Sequence, residues 1–277
     1  EDDVYMLYTG GTTGMPKGAM WRQEDFLIAA LGVRRRDGAE YSCMEELVAD
    51  ARGTVRALPA PPLMHGAAHW NALSCLVAGG TVVIQDDPSH FDPADVLDAA
   101  ERHGATSLLV VGDPMARPLV DELVRRPRSL PRLRHILSGG AVLSAGIKAR
   151  LGGLLPGVTI VDVLGSTESG RQAVDTTRPG HAPGTGFSPG DTSVVLSENL
   201  DEVLAPQDHS IGWLAQSGRV PLGYLNDPVK SEATFPVIAS VHYAVPGDRA
   251  RWAANGSIEL LGRDSVCINT GGEKVYA

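Results

Sequence analysis

Residues 8–18 read Tyr8-Thr9-Gly10-Gly11-Thr12-Thr13-Gly14-Met15-Pro16-Lys17-Gly18, with four glycines, three threonines and one lysine in eleven positions. Glycine lets backbone N–H groups turn toward a ligand and come close to it. The threonine hydroxyls add short donors and the lysine a mobile positive charge, an inventory that suits a polyphosphate. A Walker A loop needs Gly-Lys followed by Ser or Thr at the mouth of a helix. Here Lys17 lies between Pro16 and Gly18, which argues against a P-loop kinase or GTPase. A flexible Gly/Thr turn explains the same composition, so this stretch alone leaves both readings open.

Five other stretches have residue types that could do chemistry. Leu164-Gly165-Ser166-Thr167-Glu168 follows an apolar run, and α/β sheets place ligands at the carboxyl ends of their strands. Glu168 suits magnesium, a hard cation that takes oxygen ligands, or a helix N-terminus, where the dipole favours a carboxylate. Ser138-Gly139-Gly140-Ala141 occupies a similar place and also reads as a plain strand-to-helix turn. His65 and His69 stand four apart, but the zinc-protease Glu is missing and no third ligand is near. That disfavours a metal and leaves a core histidine as the rival reading. Gly247-Asp248 and Gly262-Arg263-Asp264 are turns when taken singly.

The elements that would position these groups are legible from periodicity. Residues 4–8, 81–85, 107–111, 135–138 and 158–163 are short runs rich in Val, Ile and Leu, bounded by Gly or Pro, and read as buried strands. Helices are expected over 93–103, capped by Asp92 with Pro at the first position, over 114–126 after Asp113, and over 144–151, ending at Gly152-Gly153. Strands alternating with helices predict a layered α/β region with a parallel-rich sheet and flanking helices. Residues 171–190 hold Pro179, Pro183, Pro189 and several glycines without periodicity. Short strand candidates follow at 192–196, 211–216, 241–245, 250–253 and 257–261, which predict a small β-barrel-like subdomain. The expected organisation is 1–170, 171–262 and a closing stretch 263–277.

The chain of 277 residues is 43% hydrophobic with a net charge of −9. That charge gives no electrostatic reason to expect nucleic acid or an anionic membrane as partner. No apolar run nears the roughly 20 residues that span a bilayer, so stable membrane insertion is not expected. Cys43, Cys75 and Cys267 are scattered without Cys-x-x-Cys spacing, the pattern of reduced thiols in a cytoplasmic protein. No Gly-x-Gly-x-x-Gly joins a strand to a helix, which disfavours a generic dinucleotide-binding domain.

Residues 9–18 resemble the phosphate-binding signature of the adenylate-forming enzymes: acyl-CoA synthetases, luciferases and the adenylation domains of peptide synthetases. The usual form is Thr-Ser-Gly-Thr-Thr-Gly-x-Pro-Lys-Gly, with Gly10 here in place of Ser. The segment 164–168 is similar to the family's Tyr-Gly-x-Thr-Glu motif. Leu164 stands where an aromatic ring usually lies against adenine, a loss of stacking worth roughly 1 kcal/mol.

The resemblance implies ATP, Mg2+ and coenzyme A as cofactors and a small carboxylic acid as substrate. By it Thr9, Gly10, Gly11, Thr12, Thr13, Gly14 and Lys17 hold phosphates, Glu168 binds magnesium and Thr167 contacts phosphate. Asp162 takes the adenine amino group, beside Leu164 and Gly165. Gly139, Gly140 and Ala141 lie along adenine and the acyl tunnel, where a residue without a side chain lets a flat ring or carbon chain pass. His65 and Gly66 sit at the mouth of the acid pocket with Trp70 as a wall. Asp248 accepts the ribose hydroxyls, Arg263 reaches ribose or phosphate, and Asp264 is the hinge. Gly271, Gly272 and Glu273 lie by the pantetheine path.

The motifs run from one end of the chain to the other in family order, yet the chain opens at the first and stops just past the hinge. The resemblance therefore implies a truncated adenylate-forming fold: a fragment of the large domain, with weak nucleotide binding and very slow or absent acyl-CoA synthesis. It also implies exposed apolar surface that favours oligomers. Gly10, Met15 and the run Trp21-Arg22-Gln23-Glu24-Asp25 look most like bacterial fatty- or steroid-acid CoA ligases. An acyl-adenylate ligase feeding a carrier protein is the enzymatic alternative, and a non-catalytic, degenerate nucleotide-binding module the other.

Overall fold

In the computed structural model the opening apolar run forms strand β1 (Val4–Thr9), and the chain returns as β2 (Lys17–Arg22). They pair antiparallel as a hairpin from Val4↔Arg22 to Thr9↔Lys17. The structure describes residues 3–9, 15–182, 186–263, 268–269 and 274–275, with the backbone alone for Arg263 and the last two pairs. The chain divides into two units. One comprises Glu1–Ala30, Leu164–Val174 and Thr185–Ala277; the other Leu31–Val163 and Asp175–Gly184. The first thirty residues thus cluster with the β-rich part rather than with the α/β region.

The α/β unit bears out the parallel sheet. Its strands are β3 (Arg56–Pro59), β4 (Thr81–Val82), β5 (Ser107–Val110), β6 (His135–Gly139) and β7 (Thr159–Ser166), in the order β4-β3-β5-β6-β7 with every pair parallel. The helices are α1 (Met44–Asp50), α2 (Gly66–Val77), α3 (Pro93–His103), α4 (Gly112–Arg125) and α5 (Ala145–Leu154). Leu58, Leu108, Val110, Ile136 and Ile160 from the strands pack with Val96, Leu97, Leu119, Leu123, Ile147 and Leu151 from the helices. Each such side chain contributes about 1.5–3 kcal/mol on full burial.

Local chemistry sets the helix ends. The Asp92 carboxylate accepts from the Ala94 N–H at 2.8 Å, Pro93 takes the first turn and Gly104 closes α3 in the left-handed region. Ser144 caps α5 by accepting from the Ile147 N–H at 3.4 Å. Two boundaries differ from expectation. α5 runs on through Gly152-Gly153 to Leu154. α4 starts at Gly112, and the Asp113 carboxylate accepts instead from the Ser144 N–H at 2.8 Å, tying the starts of α4 and α5 together. The buried Arg128 guanidinium joins α3 to α4, reaching Asp98 at 2.6 Å and Glu122 at 3.1 Å.

Along β7 the chain passes into the other unit. β8 (Gly170–Thr177) begins there, its last three residues belonging again to the α/β unit, and pairs with β9 (Ser188–Pro189) through Ala173 and Val174. A strand here was not expected, because several of its buried positions are polar (Gln172, Asp175, Thr177) and hide the alternation. The β-rich part contains β10 (Ser193–Leu196), β11 (Val203–Leu204), β12 (Gly212–Ser217) and β13 (Gly223–Tyr224). After helix α6 (Pro228–Thr234) come β14 (Val237–Ile238), β15 (Val241–Ala244), β16 (Asp248–Trp252) and β17 (Ile258–Arg263). Strands β11-β10-β12-β15-β14 form an antiparallel sheet, with β16 joining β12 to β17. A separate sheet runs β1-β2-β13.

Candidate nucleotide site

The hairpin register fixes where the Gly/Thr stretch begins and ends: Thr9 and Lys17 face each other across β1 and β2. Gly10, Gly11, Thr12, Thr13 and Gly14 lie outside the described residues. Strand β13 pairs with the other side of β2, placing Gly223 opposite Met20 and Tyr224 opposite Ala19. The Lys17 ammonium sits 4.9 Å from the centre of the Tyr224 ring, a cation over a π face.

The turn after β7 is held by the same sheet at two points. The Trp21 indole N–H donates to the Thr167 carbonyl at 3.0 Å. The Tyr224 hydroxyl donates to Glu168 Oε1 at 2.8 Å. The Glu168 N–H donates to Ser166 Oγ, which lies 3.0 Å from Ser169 Oγ, so the turn is also closed on itself. A Cβ on Gly165 would fall 2.2 Å from the Gly170 carbonyl oxygen, a close approach that only glycine permits. Leu164 is half-buried and packs against a cluster of Val195, Leu204, Leu214, Ala250, Trp252 and Ile258.

In the same unit, Asp248 is buried at the start of β16 and stands directly across from Arg263 on β17. One unit therefore brings Lys17 and Glu168 to a shared tyrosine, and sets Asp248 and Arg263 opposite one another. Asp264, Gly271, Gly272 and Glu273 lie outside the described residues.

The other candidates lie in the α/β unit. Gly139 ends β6 opposite Val163, Gly140 follows in the left-handed region at φ +85°, and Ala141 is half-buried. The exposed His65 precedes α2, with Gly66 as its first residue and Trp70 half-buried one turn on. Asp162 is only 6% exposed. Lys148 Nζ reaches it at 2.9 Å and reaches Asp175 at 2.7 Å, so the position expected to meet adenine is engaged in a buried triad. Burial opposes the Lys148 charge, but the two carboxylates outweigh it and hold the ammonium pKa above the ordinary lysine value. Burial lifts the Asp162 carboxyl, with the Asp175 charge adding to it, against the pull of Lys148 and Ser138. One cation between two buried carboxylates leaves one negative charge uncompensated.

Sequence reasoning missed Tyr224, Lys148 and the anchoring role of Trp21. Tyr224 lies in a Gly-Tyr pair before a turn, and nothing local links it to Glu168. Lys148 had one signal: it sits between Ile147 and Leu151 on the buried face of α5.

Comparison with known proteins identifies the family. A family described as AMP-binding enzyme matches residues 1–224. The medium-chain acyl-CoA ligase Mig of Mycobacterium avium is 46% identical over 99% of this chain and 50% of the relative's length. The 3-oxocholest-4-en-26-oate–CoA ligase of Rhodococcus rhodochrous is 37% identical over 99% of this chain and 51% of its own. The chain thus spans about half the length of the curated relatives it matches. Among solved structures, O-succinylbenzoate coenzyme A synthetase of Bacillus subtilis in complex with AMP matches with a TM-score of 0.73 at 25% identity, over 99% of this chain and 52% of that one. The same enzyme in complex with ATP and magnesium ion matches equally well. From the Gly/Thr hairpin through Tyr224, the chain belongs to the AMP-binding enzyme family.

Proposed function

We propose that this chain carries the ATP- and acid-binding core of an AMP-forming acid–thiol ligase, which activates a carboxylic acid as its acyl-adenylate and then passes the acyl group to coenzyme A. The observation that carries the reading is the Lys17–Tyr224–Glu168 cluster. It joins the cation of a Gly/Thr hairpin to the carboxylate of a turn at a strand's carboxyl end. The names of the relatives support a medium-chain, long-chain or steroid acid as substrate.

In this reading Thr9, Gly10, Gly11, Thr12, Thr13 and Gly14 cradle the phosphates with Lys17, and Thr167 adds a hydroxyl. Asp248 accepts from the ribose and Arg263 reaches ribose or phosphate. Leu164, Gly165, Asp162 and Gly139–Gly140–Ala141 surround adenine, while His65, Gly66 and Trp70 shape the acid's entrance. Asp264 is the hinge and Gly271–Gly272–Glu273 line the thiol's path. Residues 1–170 then hold most ATP and acid contacts, 171–262 the ribose contact, and 263–277 the hinge.

The donor chemistry at Glu168 fits magnesium. Among the described residues no group of three or more His, Cys, Asp or Glu side chains could form a protein cage. Magnesium ordinarily takes one or two carboxylates and completes its shell with water and substrate phosphates. When bound, it neutralises charge on the phosphates as the acid's carboxylate oxygen bonds to the α-phosphorus and pyrophosphate leaves. Lys17 adds fixed positive charge on the same side.

Among the described residues no helix is long and apolar enough to cross a membrane. A cytoplasmic location belongs to this proposal, supported by free Cys43 and Cys75. So does self-association through exposed apolar side chains such as Met64, Val142 and Val229. The test of function is calorimetric titration with ATP, with and without magnesium. Magnesium is expected to tighten ATP binding about tenfold or more, Glu168→Gln to remove that gain and Lys17→Ala to weaken binding under both conditions. ATP binding indifferent to magnesium and to both substitutions would contradict the proposal.

A further inference from the structure

Tyr224 is held too firmly to be a chance neighbour of Glu168. Its backbone is registered on β2 by two flanking bonds, Leu222 N–H to the Met20 carbonyl at 2.7 Å and Leu225 N–H to the Gly18 carbonyl at 2.9 Å. Its own N–H donates to Ser231 Oγ at 2.8 Å. The side chain is 5% exposed and packed among Ala19, Val220, Phe235 and Ala244, with the Phe235 ring centre 5.3 Å away. A ring fixed at this many points delivers its hydroxyl to one place, and that place is Glu168 Oε1.

Two consequences follow from elementary chemistry. A carboxylate with one oxygen taken by a phenol is fixed in rotation and presents its second oxygen as a single, aimed ligand. Ligating carboxylates are commonly oriented by such outer hydrogen bonds. The second consequence concerns Lys17. A lysine and a glutamate converging on one half-buried site attract each other, and a direct pair would occupy both groups that the phosphates and the metal need. No salt bridge joins Lys17 to Glu168 among the described residues; the ammonium lies over the face of the Tyr224 ring, while the carboxylate is held at its hydroxyl.

We propose that Tyr224 is a positioning residue with two parts: its hydroxyl aims the Glu168 carboxylate at magnesium, and its ring keeps the Lys17 ammonium apart from that carboxylate. The proposal rests on the assignment of Lys17 and Glu168 to phosphate and magnesium. Two substitutions separate the parts. Tyr224→Phe keeps the ring and removes the hydroxyl; Tyr224→Leu removes both.

The measurement is the dissociation constant of ATP with magnesium and in its absence, for the 277-residue chain and each variant, with thermal melting of all three. For Tyr224→Phe the gain in affinity from magnesium is expected to fall about tenfold, with magnesium-free binding within about twofold of the parent chain. For Tyr224→Leu magnesium-free binding is expected to weaken as well, because Lys17 is released onto Glu168; a further Glu168→Gln change should restore the magnesium-free part. A parent-like magnesium gain in Tyr224→Phe would overturn the positioning role while leaving the ATP site standing. So would equal weakening under both conditions that tracks the fall in melting temperature, since that is the signature of a structural role alone. A parent chain that binds no ATP under either condition overturns this proposal and the nucleotide site together.

Discussion

Replacing Lys148 by Met removes the cation shared by Asp162 and Asp175 while keeping a long apolar stem. Both carboxylates are buried, and each reaches the same ammonium, at 2.9 and 2.7 Å. Removing one partner of a buried ion pair costs about 3–5 kcal/mol because a charge is left uncompensated. The variant can escape by taking up a proton, so that one carboxyl donates to the other. Protonating a carboxyl of ordinary pKa near 3.9 costs about 1.36 kcal/mol per pH unit, which is about 4 kcal/mol at pH 7 and about 1.5 kcal/mol at pH 5.

The sign of the pH dependence follows. A carboxyl whose folded pKa is raised stabilises fully below its unfolded value and loses that contribution as pH rises through the folded value. The deficit of the variant must therefore grow from pH 5 to pH 7. In the parent protein Lys148 is itself raised, so its contribution is complete below the ordinary lysine value and is lost only as pH climbs through the elevated one. Urea unfolding at the two pH values reads the difference directly. A loss below about 1 kcal/mol at pH 7, or one that does not change with pH, would show that the Lys148 charge does not stabilise the two buried carboxylates.

Trp21→Phe should cost about 1–3 kcal/mol in urea unfolding, because the Thr167 carbonyl loses the indole N–H at 3.0 Å inside the β1-β2-β13 platform; a change under about 0.5 kcal/mol would mean the bond is replaced. Glu122→Gln tests the Arg128 strut. Burial opposes the Glu122 charge, but Arg125 and Arg128 outweigh it and hold its carboxyl below the usual value. Its contribution is therefore present above the ordinary glutamate range and lost as pH falls through the lowered pKa. The gap in urea midpoint between parent and variant is expected to be wide at neutral pH and to close in acid; a constant gap would contradict the assignment.

What the sequence revealed was whatever local periodicity and end-chemistry can encode. Asp92-Pro93 and Gly104 marked both ends of α3, and the apolar runs at 107–111, 135–138 and 158–163 became the parallel strands β5, β6 and β7. The hairpin was half visible: the run before Thr9 read as a strand, but β2 mixes Lys17, Gly18 and Arg22 with apolar residues and has no clean alternation. Partner choice was hidden. Tyr224 meets Glu168 across 56 positions, and Lys148 finds Asp175 across 27, because tertiary packing and not local pattern selects both. β8 escaped notice for a related reason, since its buried positions include polar side chains, two of which find partners only through the fold: Gln172 Oε1 accepts from Ser169 Oγ and Asp175 from Lys148.

The account depends on the Gly/Thr hairpin and the turn after β7 gripping one triphosphate. Determining the structure of this chain with magnesium and a non-hydrolysable ATP analogue tests that most directly. The expected result is phosphate oxygens on the Thr9–Lys17 connection, magnesium on Glu168 and the Tyr224 hydroxyl still on the carboxylate's other oxygen. A nucleotide bound away from both segments, or a metal held without Glu168, would contradict it.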